Sequence, residues 1–151
     1  MYPMISKPIL KALIKRYLRD AMILASNRRY SSAIYLSGYA VELALKYKIC
    51  RLMIFSRGFP ETRNEFSSYF SGDRRSIFPG SVRELRDIRH HDLSKLLCFS
   101  GEELNIQVNL SSEWELIRTW NPDMRYKNSV VRKSPCRLFL NSCNRFVEWI
   151  V

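Results

Sequence analysis

Tyr30-Ser-Ser-Ala-Ile-Tyr-Leu-Ser-Gly-Tyr-Ala-Val-Glu-Leu-Ala-Leu-Lys46 is the stretch whose reading decides the fold of this chain. It is apolar on most sides, with one acid, Glu42, four residues before one base, Lys46. A carboxylate set among Ala, Val and Leu needs a partner, because an unpaired buried charge is costly. The four-residue step puts Lys46 on the same helix face as Glu42. The spacing predicts a helix from about Ser31 to Phe55, packed by several neighbours or lying in a subunit interface. Gly38 costs about 1 kcal/mol relative to Ala inside a helix, which points to a close helix crossing there.

Outward from this run, residues 7–28 predict an amphipathic helix, with Leu10, Leu13, Ile14, Tyr17, Ala21 and Leu24 at three- and four-residue steps. Ser6 suits its cap and Pro8 its first turn. Lys7, Lys11, Lys15 and Arg19 wind beside the apolar face. Residues 58–80 mix Gly, Pro, Ser, charges and scattered aromatics, and read as a long, partly mobile loop. Ser81 to Arg89 predicts a short basic helix. Asp92 caps a short helix ended by Gly101, and Ser112 with Glu115 fits a capping box. Trp114, Trp120 and Trp149 read as core, and Tyr126 as a core aromatic. Pro122 ends the helix that carries Trp120, and Ser134-Pro135 opens the last helix. Ile106-Gln-Val-Asn is too short for a strand. The whole is an all-α antiparallel bundle of four or five helices in one domain, residues 1–151.

Charge is unevenly spread. The net charge is +11, and residues 1–57 hold eleven Lys or Arg against Asp20 and Glu42 alone. This field favours an anionic partner: nucleic acid, a nucleotide or an acidic protein. The bland alternative is a solvated basic face. No apolar run reaches the length of a membrane span, and the N-terminus has no signal layout, which reads as cytoplasmic. Cys50, Cys98, Cys136 and Cys143 lie far apart, which argues for buried free thiols rather than a metal site or a disulfide framework.

Three pieces in order carry a resemblance. The Tyr30…Gly38…Glu42-Leu-Ala-Leu-Lys46 run is similar to the second helix of HEPN domains (higher eukaryotes and prokaryotes nucleotide-binding). His91-Asp92-Leu93…Leu96-Leu97 resembles the start of their short third helix. Trp120-Asn-Pro122-Asp-Met-Arg125-Tyr126 resembles the turn before their last helix. The resemblance covers roughly 7–55 and 88–150, and the 58–80 segment departs from it in length. It implies a helical bundle, often a homodimer, that binds RNA or a nucleotide with no cofactor, within a toxin–antitoxin, defence or nucleotidyltransferase-associated assembly. A nucleotidyltransferase-type antitoxin is the kind of partner protein it implies. Ribonuclease members carry an Arg and a His four to six residues apart, brought together across a dimer cleft.

Arg86-Asp87-Ile88-Arg89-His90-His91 has that form, although it precedes the short third helix instead of adjoining the last one. In a metal-independent endoribonuclease His91 is the base, Arg86 the phosphate clamp, and Asp87 orients one of them. The competing reading makes His91 and Asp92 helix-entry groups. Arg83, Arg89, His90, Arg125, Lys127 and Arg132 are the further candidates for phosphate contact. Arg125 also has a structural reading, reaching Glu42 to form a triad with Lys46. Tyr35 and Tyr39, four apart, are core, cleft or dimer-face residues. A third class of function is a non-catalytic protein-binding subunit.

Overall fold

A computed structural model describes residues 4–70 and 82–151. Among them are seven α-helices and no strand: α1 (Lys7–Ser26), α2 (Tyr30–Leu52), α3 (Arg63–Ser68), α4 (Leu93–Ser100), α5 (Glu103–Asn109), α6 (Ser111–Ile117) and α7 (Lys133–Ile150). Two 3₁₀ turns, Leu85–Asp87 and Pro122–Tyr126, flank the short helices.

The long amphipathic sequences give the long helices. Ser6 accepts a hydrogen bond from the Ile9 N–H and Pro8 sits in the first turn, so α1 starts where its cap predicts. Leu10, Ile14 and Ala21 are its buried stripe. After a tight turn at Asn27–Arg29, α2 runs back along α1. Lys11 lies over the Tyr47 ring, and Ile5 and Phe59 exchange two backbone hydrogen bonds of 2.9 and 3.2 Å. α2 is the central element, packed against α1, α4, α7 and the Pro122–Tyr126 turn. Its all-round apolar character follows from that position. α7 closes the core with Cys136, Phe139, Leu140, Cys143, Phe146, Val147 and Ile150.

The segment after α2 holds more structure than a long loop. Thr62 and Glu65 form a reciprocal capping box that starts α3, and Phe55, Phe66, Tyr69 and Phe70 pack ring against ring beneath it. Gly58 has φ +135, and a Cβ there would lie 2.2 Å from the Ile5 carbonyl oxygen, so only glycine lets the two backbones meet. The rest of the expected mobile loop, residues 71–80, and Ser81, the expected helix start, lie outside the described residues.

Several expectations are corrected. The bundle was expected to have four or five helices, and the described residues contain seven, three of them shorter than eight residues. The basic helix expected to end at Arg89 is only the 3₁₀ turn Leu85–Asp87, held by Asp87. No capping box joins Ser112 to Glu115. α5 runs through Leu110 directly into α6, and Glu115 pairs with Arg118 instead. Ile106 to Asn109 belongs to α5, with Ile106 its one buried side chain. Pro122 does not end a helix carrying Trp120: α6 stops at Ile117 and Pro122 opens a 3₁₀ turn. Tyr126 and Trp149 are exposed, whereas Trp114 and Trp120 are buried. Cys98 is also exposed; the other three thiols are buried. The close approach at Gly38 comes from a side chain, not a helix. A Cβ on Gly38 would lie 2.1 Å from the Trp120 indole nitrogen.

Candidate functional site

Glu42 is 2% exposed, in the middle of α2. Each carboxylate oxygen has its own partner. Oε1 accepts from Lys46 Nζ at 2.8 Å, one turn along the helix, and Oε2 accepts from His91 Nδ1 at 2.8 Å, from the loop before α4. Lys46 is itself buried, its ammonium over the Phe59 ring. Lys46 supplies the compensating charge, and His91 satisfies the second oxygen with a hydrogen bond.

The carboxylate can only accept, so the shared proton sits on His91 Nδ1. The Nε2 edge of the ring then turns outward, and 53% of the His91 side chain is exposed. A buried acid therefore fixes the tautomer and the orientation of a surface imidazole. Lone-pair presentation at a fixed nitrogen is what a general base requires.

The loop is built to hold that ring. His90 Nδ1 accepts from the Asp92 N–H at 3.1 Å, so its proton is on Nε2, which donates to the Asp87 carbonyl at 2.7 Å. Asp92 caps α4 by accepting from the Lys95 N–H, and Gly101, at φ 75, ends that helix. Neighbouring histidines thus have opposite tautomers and opposite roles. His90 stitches the loop together and His91 faces out.

A groove of about 450 Å³ opens beside His91, between residues 90–94 and residues 118–122. Trp120 forms its inner wall. The indole lies on Gly38, donates from Nε1 to the Tyr35 carbonyl at 3.2 Å, and meets the Tyr39 ring edge-on at 5.1 Å. Tyr39 in turn stands edge-on to His91 at 6.0 Å and to Tyr35 at 5.0 Å. Burial first, with the negative charge of Glu42 adding to it, pushes the Tyr39 phenol well above its ordinary pKa.

The sequence candidates are placed as follows. Glu42, Lys46 and His91 come together. Arg125 does not touch Glu42. Its guanidinium donates to the Tyr35 hydroxyl at 3.5 Å and lies over the Tyr126 ring, while His91 takes the place expected for it at the carboxylate. Arg86 is bound to Glu84 at 2.6 Å with most of its side chain in solvent. Asp87 accepts from the backbone N–H groups of Arg83 and Glu84, so it holds the 3₁₀ turn and orients neither Arg86 nor His91. Arg89 pairs with Glu61 at 3.1 Å. Arg83, Lys127 and Arg132 are exposed outside the groove lining. Glu42 as a partner of His91 was missed. The separation of 49 residues leaves no local signal, and only the demand of a buried carboxylate for a second donor points that way.

Comparison with protein-family models, curated proteins and solved structures finds no match to this chain.

Proposed function

We propose that this chain is a HEPN-like helical module that binds RNA and cleaves it with His91 as general base, without needing a metal ion. The observation that carries this reading is the 2.8 Å contact between His91 Nδ1 and the buried Glu42 carboxylate, which leaves Nε2 facing solvent beside a groove. The three sequence pieces that resemble the family also meet in space. Glu42 of the first holds His91 of the second, and Trp120 of the third lies on Gly38 of the first. That convergence supports the family reading more than any one piece does.

In the proposed step His91 Nε2 takes the proton of a ribose 2′-hydroxyl. The 2′ oxygen bonds to phosphorus as the bond from phosphorus to the 5′ oxygen breaks, and the leaving 5′ oxygen takes a proton from water. The products are a cyclic 2′,3′-phosphate and a 5′-hydroxyl end. Glu42 stabilises the imidazolium formed on the way, as a buried carboxylate behind a catalytic histidine does. Arg86, projecting into solvent, suits contact with RNA or with a second copy of this chain better than with the His91 of its own chain.

Binding without cleavage is the second reading. The cations of α1 favour it, since Lys7, Lys11, Lys15 and Arg19 have no carboxylate partner among the described residues. Incubation of a single-stranded RNA with the protein in chelator separates the two. Cleavage to cyclic phosphate ends, lost in His91→Ala with the helical content intact, is the expected result. Parent-like cleavage by His91→Ala removes His91 from the chemistry, and salt-sensitive binding with no cleavage leaves the binding module.

A further inference from the structure

Beside His91 runs a second chain of contacts that the base role does not use. Arg125 donates to the Tyr35 hydroxyl at 3.5 Å, and the Tyr35 and Tyr39 hydroxyls are 3.5 Å apart. Arg125 can only donate, so Tyr35 accepts from it, and the contact between the two hydroxyls runs from the Tyr35 O–H to the Tyr39 oxygen. The Tyr39 proton is then left over. Both oxygens of Glu42 are already taken by Lys46 and His91, and the Tyr39 hydroxyl has no acceptor among the described residues. Arg125 has no carboxylate partner among them either, so its charge polarises the row instead of being cancelled.

The row cannot swing freely. Trp120 lies against both tyrosine rings and is itself wedged on Gly38. The Tyr39 ring stands edge-on to His91 with centroids 6.0 Å apart. Tyr39 is not among the residues that line the groove, so a phosphodiester whose 2′-hydroxyl reached His91 Nε2 meets the Tyr39 hydroxyl only with its phosphate on the tyrosine side of the imidazole. An oriented O–H donor there, fixed before the substrate arrives, is the arrangement that stabilises charge developing on oxygen.

We propose that Arg125, Tyr35 and Tyr39 form a donor relay, and that it presents the Tyr39 O–H to a non-bridging oxygen of the phosphate attacked at His91. Tyr39 is the catalytic residue of the relay; Tyr35 and Arg125 are positioning residues. No proton is transferred along it: the phenol keeps its proton and strengthens its hydrogen bond as charge builds on the phosphate. Burial, with the Glu42 charge, holds the phenol in its protonated form across the neutral range. The site then has an anion donor within one chain, and Arg86 is not required as the clamp. This inference rests on the His91 reading for its substrate, but not for its test.

Two measurements on parent, Tyr39→Phe, Tyr35→Phe, the double variant and His91→Ala decide it: binding of a 2′-O-methyl oligonucleotide, which cannot be cleaved, and cleavage of the same sequence as RNA. Tyr39→Phe keeps the ring and its aromatic contacts, so thermal melting should stay at the parent value. The expected result is cleavage slowed about 10²–10³-fold and binding weakened about tenfold. Tyr35→Phe should slow cleavage about tenfold, and the double variant should be no worse than Tyr39→Phe alone, because the two act as one unit. Parent-like binding and cleavage by Tyr39→Phe overturns the relay and leaves His91 untouched. If the parent binds without cleaving, the base role falls and the relay stands or falls on the binding measurement. If the parent does not bind, both are overturned.

Discussion

Both oxygens of the Glu42 carboxylate are spoken for, one by an ammonium and one by an imidazole, and water reaches almost none of the residue. Removing the acid strands Lys46, a buried cation with no other carboxylate partner among the described residues, and releases His91 to rotate. Glu42→Ala is therefore expected to cost about 2–4 kcal/mol in chemical denaturation and to abolish the proposed cleavage. His91→Ala should cost far less stability, since Lys46 still balances the charge. A change near zero for Glu42→Ala would mean the pair contributes nothing to folding. The thiols give a second check. Burial pushes Cys50 up to about 12 and raises Cys136 and Cys143; desolvation and the neighbouring Glu103 raise Cys98 as well, but Cys98 alone is exposed and open to a reagent. One thiol, Cys98, should react with a neutral-pH thiol reagent in the native protein and all four after unfolding.

Helix ends and helix contacts carry the predictions at the next scale. Ile54 sits at φ 53 just past α2, where the Phe55 N–H reaches back to the Cys50 carbonyl at 2.9 Å. This left-handed position normally takes glycine, as Gly101 does after α4, and a β-branched residue there is strained. Ile54 is 61% exposed and loses little packing, so Ile54→Gly should stabilise by about 0.5–1 kcal/mol in thermal or denaturant unfolding. Gly38→Ala should do the reverse. The added methyl collides with the Trp120 indole, and overpacking of this kind costs about 1–3 kcal/mol. It should also reduce the proposed cleavage, since Trp120 braces Tyr35 and Tyr39.

Across the whole molecule, the features legible in the sequence were the ones with a local cause. The stripe of Leu10, Ile14 and Ala21, the Ser6 and Asp92 caps and the Gly101 stop each act within a few residues, so helices α1 and α4 could be read directly. α5 could not, because Leu104 and Val108 face solvent and leave Ile106 without an apolar period. The partner of Glu42 was half legible. Lys46 followed from spacing, whereas nothing in the order of residues distinguished His91 from Arg125 as the group that folds back. The charge asymmetry was legible in full, and it bears on the proposed RNA binding. Lys7, Lys11, Lys15 and Arg19 step about 6 Å at a time along α1, so affinity for a non-cleavable RNA should fall steeply with salt. Every part of the functional account nevertheless returns to one imidazole with its proton on the inner nitrogen. The chain has two histidines, and their side-chain ¹⁵N signals, recorded at a pH where both are neutral and assigned with His91→Ala, report that directly. The expected result is opposite tautomers: Nδ1–H with a bare Nε2 for His91, and Nε2–H for His90. A His91 protonated on Nε2, with Nδ1 bare, contradicts it.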